Sequence, residues 1–139
     1  MNRMLKGLVV TALGLSTTVA LANPTNLVIR NTTKVEMNEY IDGIIPAIPT
    51  PPESKGTVPW NLIRMACYGH TVNNKCSALI KLATDTNRPF NLGTITIDIE
   101  TGEISPKSIT GPKGYKFTVT GAGEATLTVS AQSVQRKAH

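Results

Sequence analysis

Ile63-Arg64-Met65-Ala66-Cys67 and, eight residues later, Cys76-Ser77-Ala78-Leu79-Ile80 are nearly mirror images in apolar patterning, and how they pair decides the fold. A bridge from Cys67 to Cys76 sets a hairpin register with Met65 facing Ala78, Ile63 facing Ile80 and Asn61 facing Leu82. That face is largely apolar, as a core requires. The other face sets Arg64 against Leu79, Leu62 against Lys81 and Trp60 against Ala83, where the stems of the charged residues cover apolar neighbours. The pattern predicts strands over 60–68 and 76–84.

Period-two alternation recurs on both sides of this pair. It predicts strands over 27–31, 35–40, 94–100, 115–119 and 125–130, with no long helix. Ile95, Ile97 and Ile99 share one face, and a turn through Thr101-Gly102 brings Ile104 opposite Ile99. Pro106 limits the returning strand because it cannot donate to a ladder. Around Gly121-Ala122-Gly123, a second register sets Val119 against Ala125, Phe117 against Leu127 and Tyr115 against Val129. The expectation is an all-β chain folded as a single antiparallel β-sandwich of about seven short strands. The inter-sheet Cys-Trp-Cys spacing of immunoglobulin domains is absent, because these two cysteines lie too close in sequence.

Residues 1–22 carry Arg3 and Lys6, an apolar stretch from Leu8 to Leu15 and an Ala20-Leu21-Ala22 ending, which is the pattern of a cleaved signal peptide. The stretch is too interrupted to span a bilayer, and no cysteine follows the cleavage site before Cys67, so the mature chain has no membrane span and no lipid attachment point. The sandwich domain is then 23–131 and a flexible basic tail 132–139. Export places the protein in the periplasm or outside the cell, where two cysteines form a disulfide.

The formal charge of the 139-residue chain is +5. Two of those positives leave with the signal segment, and Arg136 and Lys137 lie in the tail. The body is close to neutral and has no basic cluster for nucleic acid. Chemistry is also hard to place. Cys67 with His70 as its base would make a thiol hydrolase, but no third residue orients the histidine. Cys67, His70 and Cys76 are only three zinc ligands on a tight loop. Glu100 and Glu103 flank a turn rather than a cleft. Asp85-Thr86-Asn87 starts like a calcium loop, yet Pro89 and Phe90 break the pattern. Asn31-Thr32-Thr33 is formally a glycosylation sequon and equally an ordinary turn. No cofactor and no metal are expected.

Five of the nine prolines fall between Pro46 and Pro59, and Pro46, Pro49 and Pro52 recur every third residue, the period of a polyproline II helix. The connection 43–59 is long for a compact domain. Ile44, Ile45 and Ile48 either fold it over a sheet edge as a lid or leave it as a docking strip. The expected function is non-enzymatic binding of an extracytoplasmic protein or surface partner. Its candidate contacts are Pro46, Ile48, Pro49, Pro52 and Trp60, with Tyr68 and His70 on the disulfide loop. The alternative is a self-assembling coat or fibre subunit that adds a strand at an edge such as Leu27–Asn31.

The spacing of Val58-Pro59-Trp60, Cys67, Cys76, Asn91-Leu92-Gly93-Thr94, Thr101-Gly102 and Gly114-Tyr115 resembles that of short exported β-sandwich proteins of gram-negative bacteria, over roughly Leu27 to Val129. The resemblance implies export and fold, and brings no catalytic residues.

Overall fold

Residues 24–130 are described by a computed structural model. The expected signal peptide 1–22 and the expected basic tail 132–139 lie outside the described residues. Along the chain come β1 (Asn26–Asn31), β2 (Met37–Ile41), β3 (Ile45–Pro46), β4 (Ser54–Pro59), helix α1 (Trp60–Cys67), β5 (Thr71–Val72) and β6 (Lys75–Leu82). Then follow β7 (Phe90–Asp98), β8 (Ile104–Ser105), β9 (Ser108–Thr110), β10 (Tyr115–Gly121) and β11 (Glu124–Val129). One sheet has the order β4-β1-β11-β10-β9 and the other β3-β2-β6-β7-β8, with β5 also on β6.

The fold is an all-β sandwich. It has more strands than the seven expected, because short edge strands carry little alternation. Leu27 and Ile29 of β1, Phe117 of β10 and Leu127 of β11 face Met37, Ile80, Leu82 and Ile95 of the other sheet across a closed core. Two consecutive pairs, β3–β4 and β8–β9, pass from an edge of one sheet to an edge of the other. These short crossings close both flanks of the sandwich.

The β10–β11 hairpin has the expected register, Tyr115 opposite Val129, Phe117 opposite Leu127 and Val119 opposite Ala125. Its turn ends in Gly123 at φ +64°, where a Cβ would meet the Trp60 ring at 3.2 Å and the Asn26 carbonyl at 3.1 Å. Glycine is therefore needed there for space as well as for conformation. β1 runs parallel to β11 and antiparallel to β4. It is an interior strand, so the edge that motivated strand addition at Leu27–Asn31 does not exist.

Two expected registers are corrected. Residues 60–67 form a helix, so there is no 60–68/76–84 hairpin. Trp60, Ile63 and Cys67 are buried at helical spacing, while Met65, which the strand reading placed inside, is 70% exposed. Leu62, Arg64, Met65 and Ala66 are good helix formers, and over eight residues their preference outweighs an ambiguous periodicity. Instead, β6 pairs with β2 and β7. In the second correction, Ile104 lies opposite Ile97, not Ile99. The Asp98 carboxylate accepts the N–H groups of Glu100 and Thr101 at 2.8 and 3.1 Å, which closes the turn two residues early. Ile99 then leaves the ladder, and its carbonyl receives the Trp60 indole N–H at 2.9 Å.

Candidate contact surface

The disulfide is present. Cys67 ends α1 and Cys76 lies near the start of β6, with their Cα atoms 5.9 Å apart. Between them, Val72 pairs with Lys75 across Asn73-Asn74. Both asparagines have positive φ (53° and 65°), as a tight two-residue hairpin turn requires. The His70 backbone N–H reaches the Cys67 carbonyl at 2.8 Å, and its Nδ1 meets the Asp42 carboxylate. Asp42 stands in the turn between β2 and β3, and its own N–H donates to the Ser77 carbonyl of β6 at 3.0 Å. The disulfide loop and the β2–β3 turn are thus fastened together at one end of the sandwich.

That end displays apolar side chains in water. Tyr68 is 87% exposed, Ile44 76% and Val72 75%, with Met65 beside Tyr68 on the outer side of α1. The neighbouring charges are paired among themselves: Arg64 lies 3.8 Å from Glu100, and Lys75 lies 3.4 Å from Asp98. Burial works against the Asp98 carboxylate. The N–H groups of Glu100 and Thr101 together with Lys75 outweigh it, and the carboxyl stays below its ordinary range.

The candidate contacts separate into three groups. Tyr68 and His70 stand at this end. Pro46, Ile48, Pro49 and Pro52 run along β2 instead: Pro46 pairs with Tyr40, the Ala47 N–H donates to the Glu39 carbonyl at 2.8 Å, and Thr50 exchanges two hydrogen bonds with Met37. Ile44, Ile45 and Ile48 point to solvent, so the segment is not a lid. The inward position at that edge is taken by buried Thr50. Trp60 belongs to neither group. At 4% exposure, with its indole N–H committed to Ile99, it is a core residue and offers almost no surface. Sequence reasoning missed Met65 and Val72 as exposed residues and Asp42 as the partner of His70. Met65 was hidden by the strand register, and nothing local linked Asp42 to a residue twenty-eight positions away.

Other chemistry meets direct obstacles. Both sulfurs are in the disulfide, which removes the Cys67 nucleophile. Asn31 is 2% exposed and its amide nitrogen donates within the fold, so the sequon is not an accessible acceptor. Among the described residues, no three His, Cys, Asp or Glu side chains cluster as metal ligands, and no helix is long and apolar enough to cross a membrane.

A family profile described as the type II secretion system (T2SS) substrate NttC matches residues 1–130. The chain belongs to the NttC family. It is accordingly an exported protein, as the signal pattern implied. The crystal structure of the Legionella pneumophila type II secretion system substrate NttC superposes with a TM-score of 0.74 at 48% identity, over 77% of this chain and 99% of that one. The sandwich is therefore shared with a solved NttC protein. No curated protein sequence matches.

Proposed function

We propose that this exported NttC-family protein acts by binding, without catalysis of its own, and that it docks a protein partner outside the cytoplasm through the end formed by the disulfide loop and the β2–β3 turn. The supporting observation is the exposure of Tyr68, Ile44, Val72 and Met65 on loops held by a disulfide and the His70–Asp42 contact. Rigid exposed aromatics anchor interfaces at low entropic cost, and Tyr, Met and Arg are enriched there. The charges around them bring their own counter-ions, which favours an uncharged apolar partner surface over a strongly charged one. Ile48, with Pro46, Pro49 and Pro52, would extend the contact along the sandwich flank.

The test is crosslinking capture in the medium into which the protein is released, comparing the wild type with Tyr68→Asp/Ile44→Asp. Capture of one discrete partner should fall by about tenfold or more, as for loss of a hot spot, while the melting temperature stays unchanged. Equal capture by the variant overturns the proposal.

A further inference from the structure

The outer face of the β4-β1-β11-β10-β9 sheet has a different character from the apolar end. Registers across the sheet align Lys55, Arg30, Thr126, Thr118 and Ser108 in one unbroken row, one residue from each strand. All five are half-buried or exposed, and Arg30, Thr126 and Thr118 alternate with inward core residues. Adjacent strands are about 4.8 Å apart, so the row spans roughly 19 Å. A second row, about 7 Å along the strands, holds Thr128, Lys116 and Thr110.

Two features of this face bear on what it can bind. The hydroxyls of Thr118, Thr126, Ser108 and Thr110 have no hydrogen-bond partner among the described residues and face solvent. Thr128 has only a 3.5 Å contact with the Lys116 carbonyl. Lys55 and Lys116 likewise have no ion pair among the described residues, whereas Arg30 is shared with Glu124 at 3.8 Å. The face therefore carries net positive charge on a body that is otherwise near neutral.

We propose that this face binds an acidic polysaccharide, a sugar chain bearing carboxylates at intervals along its length. Rows of free hydroxyls exchange bound water for sugar hydroxyls, and the two lysines supply the counter-charge. The face has none of the exposed large apolar side chains, which lie at the end, on the α1 surface and on the β3 flank, so nothing inserts into a bilayer. Nucleic acid fits poorly as well. It carries a charge about every 1.7 Å and its bases seek aromatic platforms, but this face has three cations and no ring.

The experiment is affinity electrophoresis of the exported protein through gels containing polygalacturonate, with neutral dextran gels and anionic phospholipid vesicles as comparisons. Polygalacturonate should retard the wild type at low salt and lose its hold near about 0.15 M salt, where screening shortens to about 8 Å. Lys55→Glu/Lys116→Glu should weaken retention by about tenfold or more, since it removes both free cations and adds two like charges. Thr118→Val/Thr126→Val should weaken it several-fold without changing the salt dependence. Tyr68→Asp should leave it intact, which separates this proposal from the protein-docking one. Three outcomes overturn it: no retardation at low salt, equal retardation of the charge-reversed variant with an unchanged melting temperature, or stronger uptake by vesicles than by polysaccharide.

Discussion

Asn31 and Glu39 are both polar, both point between the sheets and both are nearly closed to solvent, at 2% and 6% exposure. Their energetics are opposite. The Asn31 amide nitrogen donates to the carbonyls of Val35 at 2.7 Å, Pro51 at 3.1 Å and Thr50 at 3.3 Å. Its oxygen accepts the Thr33 N–H at 3.0 Å and the Thr33 hydroxyl at 2.7 Å. Glu39 lies opposite Ile80, between Met37 and Ile41 on the inward face of β2, and its Oε2 has no partner. One residue stitches the end of β1 to the proline-rich segment. The other stores a cost inside the same sandwich. Equal burial therefore says little about stability until each lone pair and proton is accounted for.

The largest expected effect comes from cutting the stitch. Asn31→Ala leaves the buried Thr33 N–H without an acceptor and removes one of the two donors at each of the Val35, Thr50 and Pro51 carbonyls, and should lower the unfolding free energy by about 3 kcal/mol. Because the amide does not titrate, the loss should be the same at every pH between about 5 and 8. Urea denaturation at both ends of that range checks it. A loss below about 1 kcal/mol would mean that Asn31 is no better satisfied than Glu39.

Glu39 should behave in the reverse manner. Burial raises its pKa from 4.5 to about 7, only partly offset by its own backbone N–H. Below about 4.5 the carboxyl is protonated in both folded and unfolded chains and costs nothing through ionisation. As pH rises toward 7 the unfolded chain releases the proton first, so folded stability falls through this window and levels off above it. The interval corresponds to about 3 kcal/mol. Glu39→Gln should flatten the wild-type decline in urea midpoints between pH 4.5 and 7. A persistent decline in the variant would place the titrating group elsewhere.

Neither residue's role was legible in the chain order, for related reasons. Glu39 sits where alternation demands an apolar residue, and a charged side chain in a strand reads as outward-facing by default. Asn31 looked like a turn or a sequon because its partners Thr50 and Pro51 are about twenty positions away. What was legible was local and doubly constrained. β10–β11 has alternation on both arms and glycines between them, and β7 has Ile95 and Ile97 in step on its inward face. β4 offered only Val58 as an apolar inward residue beside Gly56, and its partner β1 lies upstream of the proline run. The parallel β1–β11 pair joins opposite ends of the domain and has no local signature. In the contact surface, Tyr68 and His70 were marked by the disulfide loop. Trp60 was misplaced because tryptophan beside prolines suits an exposed strip as well as it suits a helix anchored in the core.

Thr33→Val makes the smallest change and tests the comparison most finely. Thr33 is 1% exposed, and valine matches its shape. The substitution removes the hydroxyl's bonds to the Asn31 oxygen at 2.7 Å and the Val35 carbonyl at 3.2 Å, and the weak 3.3 Å bond that it accepts from the Val35 N–H. The Thr33 N–H still donates to Asn31, so the amide oxygen keeps one partner. A loss of about 1 kcal/mol is expected, well short of that for Asn31→Ala. The double variant should cost less than the two single losses added together, because both act on one network. Strict additivity would mean that the hydroxyl and the amide stabilise the turn independently. Asn31 would then be a set of separate contacts, and the contrast with Glu39 would reduce to a difference of charge.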